Sequence, residues 1–178
     1  MQHSFVVTPY GDTLLGLNGE KIVSLLFLTF EKEKMLNMFR KKFPDSVEVE
    51  SIKFQLLTDE IFKNRQEFFN KIELHGTEFQ QSVWLKLMNL SGVVSYQQIA
   101  KSIGTNGVRA VASAIANNPI HYIIPCHLVV RGDGSIGKFA GGSELKQRLI
   151  SEFTAKNLFK IFLTIKLKMP TQSYLSWY

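Results

Sequence analysis

The chain has 178 residues, a formal net charge of +6 and one cysteine, with 45% hydrophobic and 20% charged residues. That length buries a full core, and the composition is that of a globular protein with one domain or two small ones. One cysteine excludes an internal disulfide framework and a cysteine-based structural zinc site, which suits a reducing intracellular compartment.

The start, Met1 to Phe5, carries neither the basic nor the apolar region of a secretory leader. No apolar run reaches the roughly 18 residues of a membrane-spanning helix, so no membrane association is expected. The basic balance favours an anionic partner, nucleic acid first, although a solvated lysine-rich surface gives the same total.

Short β-rich runs open the chain: Phe5 to Thr8, Thr13 to Leu17 and Ile22 to Phe27, separated by Gly11-Asp12 and Asn18-Gly19 hairpin punctuation. A helix is expected from about Glu33 to Lys42, ending near Pro44, and another from about Thr58 to Asn70. Residues 1–72 therefore read as a small sheet with packed helices.

From Thr77 the pattern turns helical. Thr77 is placed to cap a helix whose apolar face holds Phe79, Val83, Trp84, Leu87 and Met88. Ser95 caps a second helix from Tyr96 to Ile103, Gly104 to Gly107 make a turn, and a third helix covers Val108 to Ala116. Two short helices joined by a glycine-containing turn form a helix-turn-helix candidate.

The third helix presents small residues and one Arg109 where a major-groove reader carries long polar side chains. It suits close approach to a DNA backbone and equally an alanine-rich core position. A last helix is expected from about Ser143 to Phe153. In residues 154–178, Lys156, Lys160, Lys166 and Lys168 alternate with Phe159, Phe162, Leu163 and Ile165, ahead of Trp177-Tyr178. That segment reads as an element packed on the core or as a basic amphipathic surface.

Cys126 lies in Ile123-Ile124-Pro125-Cys126-His127-Leu128-Val129. The thiolate is the nucleophile, and a free thiol is mostly protonated at neutral pH unless a neighbour such as His127 takes the proton. Burial as a small hydrophobe, beside an exposed histidine, is the plainer account of an isolated Cys-His pair.

The surrounding motifs are more specific. Asn118-Pro119, then Pro125-Cys126-His127, then Gly134 to Gly142 and Lys146, closely resemble the O6-alkylguanine-DNA alkyltransferases. Upstream, Gly76 to Trp84, Ser95 to Ala100 and Arg109-Ala110-Val111 match the same family in the same order. The resemblance is dense over residues 74–153 and loose over the N-terminal sheet.

The resemblance implies an α+β chain, with a small N-terminal α/β domain, ribonuclease H-like, over residues 1–72. It also implies a helical, winged helix-turn-helix-like DNA-binding and alkyl-transfer domain over 73–155, followed by the basic and apolar tail, 156–178. The implied activity is DNA repair. An alkyl group on O6 of guanine, or on O4 of thymine, in duplex DNA moves irreversibly to Cys126 after the nucleotide is flipped from the minor groove.

In that scheme His127 and Glu152 relay the thiol proton through water, and Asn118 orients the active-site turn. Tyr96 promotes flipping and donates toward the leaving base. Arg109 replaces the flipped nucleotide in the stack, and Ala110, Ala112, Ser113 and Ala114 face the groove. Ile115, Val129, Phe139, Ala140 and Ser135 belong to the substrate pocket.

The resemblance further implies no cofactor and no metal, a monomer in solution, one turnover per molecule, and a cytoplasmic location, nuclear in a eukaryote. Leu128 stands where the family carries Arg and Phe139 where it carries Tyr. Leu128 keeps open a second reading, an alkyltransferase-like protein that senses alkylated DNA without efficient transfer. A cysteine hydrolase is disfavoured, since neighbours in an extended segment point to opposite sides. His121 reads either as a determinant of alkyl size or as an exposed loop histidine.

Overall fold

The computed structural model describes residues 1–28 and 31–168. Strands β1 (Gln2–Thr8), β2 (Gly11–Asn18) and β3 (Lys21–Phe27) form an antiparallel meander. The two-residue strand β4 (Val47–Glu48) pairs parallel to β1, giving the order β3-β2-β1-β4. Both expected turns are present, with Gly11 and Gly19 at positive φ.

Helix α1 (Lys32–Lys42) covers one face of this sheet, packing Met35, Phe39 and Phe43 on Leu14 and Val23. A Cβ at Gly16 would lie 2.8 Å from the Phe39 ring, so that contact needs glycine. Helix α2 (Ile52–Lys63) starts earlier than the sequence suggests, because Ser51 accepts a hydrogen bond from the Lys53 amide and caps it. It also ends earlier: Asn64 leaves helical geometry, and Arg65–Lys71 form a separate 3₁₀ turn. Phe68 of that turn is buried in the core.

Helix α3 (Glu78–Met88) begins at Thr77 in a capping box with Gln80, and α4 (Tyr96–Ser102) begins at Ser95 in one with Gln98. Helix α5 (Val108–Ala116) follows the expected turn. The Trp84 indole donates to the Ala114 carbonyl at 2.8 Å, fixing α5 on α3. Strand β5 (Val94–Ser95) pairs parallel with β6 (Val129–Val130), immediately after a 3₁₀ turn at Cys126–Leu128.

Helix α6 (Gly142–Lys168) runs well past Phe153. No glycine or proline intervenes between Gly142 and Pro170, so nothing in the chain stops it. Leu158 and Phe159 are exposed, so the first part of the tail is a solvated helix surface. Trp177-Tyr178 lie outside the described residues.

The larger hydrophobic core continues across residue 72. It joins Leu15, Ile22 and Leu25 of the sheet to Val83, Trp84 and Leu87 of α3, and on to Ile123, Ile124 and Cys126. Backbone pairing reinforces this, because the Leu25 amide donates to the Pro119 carbonyl and the His121 amide to the Leu25 carbonyl. The sheet edge therefore sets the position of the loop that precedes Cys126. None of the helices among the described residues is long and apolar enough to cross a membrane.

Candidate active site

The loop Pro119 to Pro125 is held from several directions. Asn118 is buried, and its Nδ2 donates to the Ile124 carbonyl at 2.9 Å and to Cys126 Sγ at 3.1 Å. Its Oδ1 accepts from the Ile120 amide at 3.0 Å, so all three bonds fix one amide orientation. Tyr122 has φ of +67°, a left-handed conformation that costs a bulky residue about 1–3 kcal/mol. Its ring packs at a tilt against Phe62, centroids 4.3 Å apart, and its hydroxyl donates to the Phe62 carbonyl, which hold the kink.

Arg65, from the 3₁₀ turn after α2, donates to the Ile123 carbonyl at 3.0 Å. Its guanidinium lies over the rings of Phe69 and Phe153. Lys146 is also buried, with Nζ donating to the Val129 carbonyl at 2.5 Å and the Ile136 carbonyl at 2.6 Å. Burial lowers its pKa to about 8. Leu128 is fully buried, so the residue that departs from the family pattern packs in the core.

Cys126 is buried, and burial pushes its thiol up, while the Asn118 hydrogen bond and the Lys146 charge pull it back. It lines a cavity of about 290 Å³ shared with Tyr96, Ile115, His121, Phe139 and Ala140. Tyr96, Ala112 and Lys138 also line an open groove that contains Arg109 and Arg131. Three cationic side chains thus stand beside the entrance to the thiol cavity.

His127 is buried, contrary to the exposed position first considered for it. Burial, with the charges of Arg65 and Lys146, lowers its pKa to about 3. It is a neutral imidazole at neutral pH, and its Nδ1 has no hydrogen-bond partner among the described residues. The Cys-His segment is a 3₁₀ turn, not an extended strand, yet the two side chains still open on different cavities. His127 lines a second cavity of about 430 Å³ with Tyr10, Arg65, Tyr122 and Glu152. Glu152 does not bond His127 directly; it accepts from Tyr10 and Arg148.

Helix α5 resolves the two readings of its small residues by face. Arg109, Ala110 and Ser113 are exposed, whereas Val111, Ala114 and Ile115 are buried. Ala114 is therefore a core residue against Trp84 and not part of a groove-facing surface. The 3.6-residue period puts it on the Val111 side.

Ser135 sits in an exposed turn, its amide bonded to Asp133, outside the walls of the thiol cavity. Val129 is buried behind the turn and does not line that cavity. His121 is buried and not an exposed loop residue: its Nδ1 accepts from the Phe27 amide at 3.3 Å, and burial lowers its pKa to about 4. Tyr10, Arg65, Tyr122 and Lys138 were not foreseen as site residues. Lys138 lies within the glycine-rich motif and Tyr122 in the loop before Cys126, whereas Tyr10 and Arg65 carry no local motif and reach the turn by long-range packing.

Residues 78–152 match the family model of the 6-O-methylguanine DNA methyltransferase DNA binding domain. Over 155 residues the chain is 32% identical to the methylated-DNA–protein-cysteine methyltransferase of Haemophilus influenzae, covering 84% of each chain. Over 82 residues it is 48% identical to the bifunctional transcriptional activator/DNA repair enzyme Ada of Escherichia coli. That match spans 44% of this chain and 23% of Ada. The fold superposes on the crystal structure of Mycobacterium tuberculosis OGT in complex with DNA with a TM-score of 0.69 at 23% identity. The superposition covers 89% of this chain and 99% of that one.

Proposed function

This chain belongs to the methylated-DNA–protein-cysteine methyltransferase family, and on that premise we propose that it repairs alkylated DNA by transferring the alkyl group to Cys126. The observation that carries this reading is the thiol itself. Cys126 is buried, bonded to Asn118, and lines a cavity beside a cationic groove.

The substrate is O6-alkylguanine, and O4-alkylthymine in the same manner, in double-stranded DNA. The α4–α5 helix-turn-helix, with the turn around Gly137 as its wing, approaches the minor groove. Arg109, Ala110 and Ser113 on the exposed face of α5 meet the DNA, with Ala112 at the edge of the cavity. Arg109 fills the gap left by the flipped nucleotide, and Tyr96 lines both the groove and the cavity into which the base moves.

Ile115, Phe139 and Ala140 wall that cavity. A cavity of this size accepts a base edge and a small alkyl group, not a polymer segment.

In the transfer step the Cys126 thiol loses its proton through water toward His127, whose buried ring is neutral and a weak base, so that it passes the proton on and does not hold it. The sulfur then attacks the alkyl carbon in line, the S–C bond forming as the C–O6 bond breaks. The electron pair leaves with the base, and the Tyr96 hydroxyl donates to it as charge develops. The thioether is stable, so each molecule reacts once. The reaction needs no cofactor or metal, and one chain carries every residue named, consistent with a monomer.

A free thiol as nucleophile suits a reducing compartment, the cytoplasm or the nucleus. The sensor alternative gains nothing from the geometry, since Asn118 orients the sulfur and Leu128 packs into the core without disturbing it.

Titration of a duplex containing radiolabelled O6-methylguanine with the protein tests the proposal. Label moves to protein and stops at one methyl per molecule. Tight binding of the damaged duplex with no label transferred would establish the sensor instead.

A further inference from the structure

Tyr10 comes from the turn between β1 and β2, far in sequence from any family motif, yet its hydroxyl donates to Glu152 Oε2 at 2.5 Å. The ring is set by packing, with centroids 5.4 Å from Phe62 and 5.9 Å from both Phe27 and Tyr122. Arg148 completes a clamp: its Nε donates to Glu152 Oε1 at 3.3 Å and its guanidinium lies 5.1 Å from the Tyr10 centroid. Burial and the carboxylate both push the phenol pKa up, so it stays a donor.

The clamped carboxylate and His127 line the same cavity. Glu152 is 41% exposed, whereas His127 is 2% exposed and its buried Nδ1 lacks a hydrogen-bond partner among the described residues. Glu152 is thus the carboxylate of that cavity which solvent reaches.

We propose that Tyr10 is a positioning residue for the transfer reaction, one that holds Glu152 where it receives the proton passed on from Cys126 by His127 across this cavity. The inference rests on the relay reading of His127 and Glu152. The proton balance is simple: the thiol gives up one proton, the imidazole accepts and releases it, and the carboxylate takes it and hands it to solvent. The N-terminal sheet becomes part of the chemistry through one hydroxyl.

Single-turnover transfer from an O6-methylguanine duplex, with protein in excess, tests this with Y10F, E152Q and the double variant. Y10F removes the hydroxyl and keeps the packed ring. Its transfer step slows about five-fold, the scale of one hydrogen bond, while duplex affinity is unchanged. E152Q slows at least as much, and Y10F adds nothing in the E152Q background.

A full-rate Y10F beside a slow E152Q would overturn the role of Tyr10 alone. Additive losses in the double variant would also overturn it, since a structural contribution of Tyr10 persists without the carboxylate. A full-rate E152Q would remove the relay itself.

Discussion

Cys126 and His127 are adjacent in sequence, yet they open on two cavities built in different ways. The thiol cavity is walled by residues 96 to 140, all within the part of the chain that carries the family motifs. The imidazole cavity draws on Tyr10, Arg65 and Glu152, from three separated parts of the chain. In the proposed reaction, nucleophile and substrate contacts are therefore local in sequence, whereas the proposed exit for the proton depends on how the N-terminal sheet packs against α6.

The largest effect that can separate the two sides comes from Asn118, which acts on the thiol side alone. Asn118→Ala removes the donor to sulfur and frees the loop, and transfer should slow by about 100-fold, the scale of one catalytic hydrogen-bond donor. Rapid-quench kinetics on an O6-methylguanine duplex measure it, and a loss no greater than that of Y10F would erase the distinction between the sides.

Stability against pH probes both sides at once. His121 borders the thiol cavity and His127 the other, and both are neutral when folded, with pKa values near 4 and 3. Unfolding frees each to titrate near 6.5, so below that pH the unfolded state binds more protons and stability falls. The slope is about 1.4 kcal/mol per pH unit for each histidine. Urea unfolding at pH 7, 6 and 5 should show this, and His121→Gln should remove one histidine's share of the slope, leaving that of His127 and of His3, whose pKa burial also lowers. A flat profile from pH 7 to 5 would contradict the burial of both rings.

A smaller effect sharpens the thiol side. Arg109→Ala should slow transfer from duplex DNA roughly ten-fold, because flipping costs a few kcal/mol and loses its stand-in. Transfer from free O6-benzylguanine base, which needs no flipping, should be unchanged. Equal losses on both substrates would place Arg109 in the chemistry and not in the flipping.

The sequence made the thiol side readable because its residues fall in short contiguous motifs, and Thr77 and Ser95 announced their helices through capping residues. It was less informative wherever burial decided the outcome. Ala114 and Ser113 are equally small, so composition could not tell the core face of α5 from the exposed one. His121 looks like a loop residue until β3 pairs with its backbone and encloses it. The early start of α2 rests on the single cap at Ser51, and the length of α6 runs through a basic, apolar tail whose pattern fixes no face. Tyr10 and Arg65 carry no signal of their role, since each acts through a contact more than 50 residues away.

The central claim is that Cys126 is the alkyl acceptor. Incubating the protein with a stoichiometric O6-methylguanine duplex and weighing the peptide that contains Cys126 tests it most directly. The account predicts a gain of one methyl mass on that peptide and none in Cys126→Ala, which still binds DNA; an unmodified peptide, or a methyl group found elsewhere, would contradict it.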